Sequence, residues 1–226
     1  MSAVWSVPSL QTTDPKAKVA SWVGLGNGSG GPRGDCCIWQ AGVQGFNVNG
    51  DPSQFWFEDF GCTVPLCPSD AYGNATENEI VVSNLSVSAG DSVYVAVDNG
   101  YPNRPVTYFM QNYRTGQGTS TVSVQNVDNT DTGLQAEFIV EENGPCSPGN
   151  CPYVPDVYGA FTDPAFVGAQ ATAGSDVRNL MGWNYTRIDL CAGNVGNIIA
   201  VPSDVGANNG FHIANYGQVY PTYCTR

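Results

Sequence analysis

Apolar and polar residues alternate along this chain in short runs, and glycine, proline, asparagine or aspartate separate one run from the next. A period of two sends successive side chains to opposite faces of a strand. The strongest run is Gln135-Ala136-Glu137-Phe138-Ile139-Val140-Glu141-Glu142-Asn143, stopped by Gly144-Pro145. It predicts a strand with Phe138 and Val140 facing the core and Glu137, Ile139 and Glu141 on the other side. Charged residues on one face of a strand are ordinarily just solvated. The sharper alternative is that this face lines a cleft and one Glu there does acid–base chemistry.

The same pattern predicts strands over 2–7, 19–25, 37–43, 54–60, 79–87, 92–97, 106–112, 120–125, 157–161, 165–172, 185–190, 198–201 and 211–214. In the third of these, Ile38, Gln40 and Gly42 share a face opposite Trp39, Ala41 and Val43. A Gln there can simply hydrogen-bond at a sheet surface, but Gly42 also leaves room for a close approach. In 54–60, Trp56, Glu58 and Phe60 oppose Phe55, Phe57 and Asp59, which suggests core on one side and a contact surface on the other. The glycine-rich stretch 27–34 is followed by neither Lys-Ser/Thr nor a helical pattern, so it connects strands rather than cradling phosphate. No linker, repeat or long 3.6-residue period interrupts the series. The expectation is all-β: one domain over 1–226, an antiparallel two-sheet β-sandwich.

Composition narrows the partners. The 226-residue chain carries a formal charge of −12, with lysine only at Lys16 and Lys18 and six arginines. A nucleic-acid backbone or an acidic membrane surface would repel it, whereas an acidic medium suits it. Eight cysteines point to an oxidising compartment. Cys62 with Cys67, Cys146 with Cys151 and Cys191 with Cys224 make plausible pairs, leaving adjacent Cys36 and Cys37. With no CxxC spacing and a single His212, neither a metal nor a cofactor is expected. Sequons at Asn27, Asn74, Asn84 and Asn184 suit a secreted glycoprotein. No apolar stretch has the length of a membrane span. The segment beginning Met1-Ser2-Ala3-Val4-Trp5 lacks the basic start and apolar run of a signal peptide, so a mature or trimmed chain is expected.

Common catalytic constellations fit poorly. No Gly-x-Ser-x-Gly elbow occurs, and His212 has no evident triad partners. Asp131-Thr132-Gly133 has no second copy, so an aspartic dyad cannot be built and the tripeptide reads as a turn.

An ordered set of motifs nevertheless runs from about residue 4 to the C-terminus: Trp22-Val23-Gly24-Leu25, Trp39-Gln40-Ala41-Gly42, Phe55-Trp56-Phe57-Glu58, Ala89-Gly90-Asp91-Ser92, Ala136-Glu137-Phe138-Ile139-Val140-Glu141 and Phe166-Val167-Gly168-Ala169. In this order they resemble the fungal glutamic peptidases, or eqolisins. The resemblance implies a lectin-like (concanavalin-type) sandwich with one sheet curved into a cleft. It implies Gln40 and Glu141 as the catalytic pair, on strands that adjoin, with Trp22 and Trp56 lining the cleft. Glu58, Glu137 and Gln44 are further candidates for substrate contact. Peptide hydrolysis without metal or covalent nucleophile needs a base for water and a donor for the oxyanion. An ionised Glu141 would take a proton from water and return it to the leaving amine, while the non-titrating Gln40 amide binds water and oxyanion. Activity in acid and insensitivity to pepstatin follow. The implied enzyme is a secreted, extracellular acid endopeptidase acting on polypeptides as a monomer.

Three departures stand out. Gly26 and Gln44 occupy positions where the family commonly has Asp. The family's mature chain also has a strand ahead of the one matching residues 4–8, here either trimmed, carried on a separate N-terminal piece, or lacking. Two rivals remain: a non-catalytic sandwich whose Trp22 and Trp56 stack on peptide or carbohydrate, and a glycoside hydrolase. The latter needs two carboxylates within about 5–10 Å; Glu137 and Glu141 are about 13 Å apart along a strand, so Glu58 would have to serve.

Overall fold

The computed structural model describes residues 1–11, 18–26, 38–46, 53–60, 79–100, 104–122, 135–141, 161–185, 190–191, 198–206 and 209–215; at 18, 46, 59, 60, 122, 141, 190, 191, 198–201 and 215 the backbone alone is described. The strands are β1 (Ser2–Ser6), β2 (Lys18–Gly26), β3 (Ile38–Phe46), β4 (Gln54–Phe60), β5 (Ile80–Ser86), β6 (Ser92–Asp98) and β7 (Thr107–Asn112). They continue with β8 (Gln117–Val122), β9 (Gln135–Glu141), β10 (Ala165–Ala173), β11 (Asp176–Asn179), β12 (Leu190–Cys191), β13 (Ile198–Pro202) and β14 (Phe211–Asn215). All described pairings are antiparallel. The larger sheet runs β12-β13-β14-β10-β1-β6-β7-β8 with β11 beside β10, and the smaller runs β5-β4-β3-β2-β9.

Alternation decides what lies between the sheets. Val19, Val23 and Leu25 of β2, Trp39, Ala41 and Val43 of β3, and Phe55 and Phe57 of β4 are buried against Trp5, Val93, Val95, Tyr108, Met110 and Phe166 of the larger sheet. Each fully buried large apolar side chain contributes about 1.5–3 kcal/mol. The aromatic rings also meet directly. Trp5 lies 5.1 Å from Phe166, Phe166 stacks on Phe211 at 5.0 Å, and Phe57 lies 4.9 Å from Tyr108. Two polar contacts cross this layer: Trp5 Nε1 donates to Ser21 Oγ at 2.8 Å, and the Tyr108 hydroxyl donates to the Glu58 carbonyl at 3.3 Å.

Several boundaries differ from the sequence expectation for identifiable reasons. Strand β8 starts at Gln117, ahead of the expected 120, because the turn 113–116 closes on Gly116 at φ +70°, a conformation glycine adopts without strain. Strand β3 extends to Phe46, since Gln44, Gly45 and Phe46 pair with Ala20, Val19 and Lys18. Strand β11 was not expected; it folds back on β10 through Gly174 at φ +63°. The strands bearing Gln40 and Glu141 do not adjoin, because β2 lies between β3 and β9. Of the strand expected over 157–161 only Phe161 is described, in an isolated bridge with Leu10. Residues 186–189 of the one expected over 185–190 lie outside the described residues, as do Cys36, Cys37, Cys62, Cys67, Cys146, Cys151, Cys224 and the turn at Asp131-Thr132-Gly133.

A polar knot ties the start of β6 to the β7–β8 turn. Asp91 is 4% exposed and accepts hydrogen bonds from Ser88 N at 2.9 Å, from Asn112 Nδ2 at 2.7 Å and from the Arg114 guanidinium. Burial alone would raise its pKa. The bonds from Arg114, Asn112 and Ser88 and the Arg114 charge outweigh burial and hold the carboxyl below its usual range.

Candidate active site

The face of the smaller sheet that points away from the core carries the candidate residues, and strand register orders them in rows. Glu58, Gln40, Gly24 and Glu137 form one row across β4, β3, β2 and β9. Trp56, Gly42, Trp22 and Ile139 form the next, and Gln54, Gln44, Ala20 and Glu141 the third. A second apolar cluster therefore exists on this side, made of Ala20, Trp22 and Trp56 with Ile38 and Ile139 packed against it. It accounts for β4 having aromatics on both faces: Phe55 and Phe57 belong to the core, Trp56 to the site.

Glycines make the middle rows possible. A Cβ on Gly42 would lie 2.2 Å from the Ser21 carbonyl oxygen and 2.5 Å from Trp22 Cβ. The close approach expected at Gly42 is thus that of β2 itself. A Cβ on Gly24 would lie 2.8 Å from Trp22 Cζ3, so the Trp22 ring leans from its own row over Gly24. Either substitution forces neighbours apart, at about 1–3 kcal/mol for ordinary overpacking and more where the obstacle is backbone, as at Gly42.

The polar side chains are held as well as placed. Gln40 and Glu58 are 7% and 5% exposed, and Gln40 Nε2 donates to Glu58 Oε2 at 2.7 Å. Gln44, also buried, donates through Nε2 to Glu79 Oε1. Glu79 was not singled out from the sequence; it sits just ahead of β5, and nothing in the local pattern brings it to Gln44. Glu137 is partly buried, and burial pushes its carboxyl above the usual range. Trp22 and Trp56 are both buried, and Trp56 Nε1 has no hydrogen-bond partner among the described residues.

Glu141 enters this geometry through its backbone, since its side chain lies outside the described residues. It pairs with Ala20 in the row of Gln44. From Gln40 it is two strand spacings sideways, about 10 Å, and four residues along, about 13 Å. Between them lies the row of Trp56, Gly42 and Trp22. Glu137 shares Gln40's own row, with Gly24 between. Gly26 ends β2 opposite Ile38 and Gln135.

The arrangement offers a buried amide, several carboxylates and two indoles on one face: the means to bind an extended polar chain and to move protons near it. A family model, the Peptidase A4 family, matches residues 1–215. No curated protein is significantly similar to the chain. Among solved structures it is similar to scytalido-glutamic peptidase, determined with a transition state analog inhibitor. The identity there is 20% and the TM-score 0.65, over 95% of this chain and 90% of that one. Aspergilloglutamic peptidase from Aspergillus niger is 19% identical, with a TM-score of 0.62 over 88% and 99%. SCP-B, a member of the eqolisin family solved in a complex with the tripeptide Ala-Ile-His, is 18% identical, with a TM-score of 0.60 over 95% and 90%. At such identities these structures bear on the fold alone.

Proposed function

Because the chain belongs to the Peptidase A4 family, a family of glutamic peptidases, we propose that it is an acid endopeptidase using Gln40 and Glu141. A substrate strand would lie over the row of Trp56, Gly42 and Trp22, between the two, and both side chains must lean across it to one carbonyl, since their backbones stand about 16 Å apart. Glu141 takes a proton from water as the water attacks the carbonyl, then returns it to the departing amine. Gln40 donates to the oxyanion through its amide. Trp22 and Trp56 wall the site. The observation that carries this is a buried, non-titrating amide at Gln40, fixed on a face shared with the Glu141 strand. Secretion and glycosylation fit the cysteines and sequons; Asn84 and Asn184 are exposed, while Asn27 and Asn74 lie outside the described residues.

One observation favours a second assignment of the acid–base group. Glu137 lies in Gln40's own row, and burial raises its pKa, as suits a group that must both take and return a proton. Denatured protein incubated with the purified enzyme in acid, with pepstatin present, tests both. Cleavage lost in Gln40→Ala and Glu141→Gln but kept in Glu137→Gln supports the first assignment, and the reverse pattern for the two Glu variants supports the second. Full cleavage by Gln40→Ala rejects both. Peptide binding without turnover by the native protein would make it a binding module instead.

A further inference from the structure

Resting on the Gln40 reading above, we propose that Glu58 is a positioning residue: it holds one amide N–H of Gln40 and so keeps the amide oxygen and the second N–H turned towards substrate. The contact is direct, 2.7 Å between Gln40 Nε2 and Glu58 Oε2, and both residues are almost wholly buried. It is also built in by register, since Gln40 and Glu58 face each other across β3 and β4. The backbone of Glu58 is gripped in turn by the Tyr108 hydroxyl.

The chemistry turns on what each group can accept. An ionised carboxylate has no hydrogen to give, so it cannot face the amide oxygen of Gln40. With one N–H committed to Glu58, Gln40 presents its oxygen to a hydrogen of the attacking water and its other N–H to the oxyanion. A protonated Glu58 can instead donate to the amide oxygen. The amide then turns over, presents two N–H groups and loses its acceptor for water. Although Gln40 does not titrate, its orientation therefore does.

Other ionisable groups surround this pair. Glu137 lies in the same row on β9, and burial favours its neutral form. Glu79 stands just ahead of β5 and takes a hydrogen bond from Gln44. The Tyr108 hydroxyl reaches the Glu58 carbonyl from β7. No Lys, Arg or His lies in the row formed by Glu58, Gln40, Gly24 and Glu137.

The test compares Glu58→Gln and Glu58→Asp with the native enzyme in steady-state kinetics across the acid range, with thermal melting to confirm folding. For Glu58→Gln the expected result is a kcat lower by about ten- to a hundredfold with KM changed by less than about twofold. The acid limb of log kcat/KM against pH should relax from a slope of about two, for two required carboxylates, to about one. Affinity for a peptide phosphinate, which mimics the tetrahedral intermediate, should fall by the same factor as kcat while affinity for a product peptide holds. Glu58→Asp keeps the slope but displaces the limb and lowers kcat. A native kcat and native slope in Glu58→Gln overturn the proposal, as does equal loss of phosphinate and product binding, which a merely structural role would produce. Should Glu58→Gln fail to fold, a native kcat and limb in Glu58→Asp overturn it equally. Gln40→Ala separates the two levels: full activity there sinks the dyad itself, whereas an inactive Gln40→Ala beside a native Glu58→Gln sinks only the positioning role.

Discussion

Asp91 and Glu58 are both almost fully buried carboxylates, and their surroundings differ in kind. Asp91 is met by a guanidinium, a side-chain amide and a backbone N–H, which together offset the cost of burying its charge. Glu58 receives an amide from Gln40, and its row contains no cation. The first arrangement pins one protonation state and one geometry, as a fold-holding contact should. The second sets the carboxyl against a neutral amide, whose orientation it fixes. A carboxylate gripped by a guanidinium marks a holding role, and one that grips the Gln40 amide marks a positioning role.

The contrast can be broken experimentally, and the largest effect should come from the site. Gln40→Ala should lower kcat by about 10²–10³-fold, the usual loss for an oxyanion donor, when rates are corrected for the folded fraction. Asp91→Ala should do the opposite: lose about 2–3 kcal/mol in denaturant unfolding while the folded enzyme keeps its pH–rate profile. A changed profile there would erase the distinction.

Next in size is the pH dependence of that stability. Because the folded state holds the Asp91 carboxyl below its usual range, its contribution is present above an unfolded value of about 4 and is lost as pH falls through the folded value. The melting-temperature gap between native protein and Asp91→Asn should accordingly close on going from pH 6 into strong acid. Glu137 carries the opposite sign. Burial raises its folded pKa, so stability declines as pH rises from an unfolded value of about 4.3 through the folded one. Glu137→Gln should raise the melting temperature at neutral pH by about 1–2 °C and leave it unchanged near pH 3. A gain in acid instead would mean that burial is not what moves this group.

Local alternation made much of this legible in the sequence. Strand β4 was bounded correctly at Gln54 and Phe60, and the division of Phe55 and Phe57 from Trp56 and Glu58 followed from period alone. The same logic put Gln40 and Gly42 on one face and Trp39 on the other. Sheet order was not legible in this way. That β2 separates β3 from β9 depends on pairing between segments over a hundred residues apart, and such pairing is decided by packing rather than by local pattern. The grip of Glu58 on Gln40 escaped for the same reason: two side chains meet only once their strands are in register. The hairpin of β10 and β11 could have been found, since Gly174-Ser175 is an ordinary turn signal between two short alternating runs.

The Tyr108 hydroxyl, which crosses the core to the Glu58 carbonyl, has a mechanical consequence. It keys the larger sheet to the smaller at the very level of the Gln40 row. Shear between the two layers of the sandwich would strain this bond and so disturb that row. Thermal agitation of the scaffold should thus blunt the chemistry before it melts the protein.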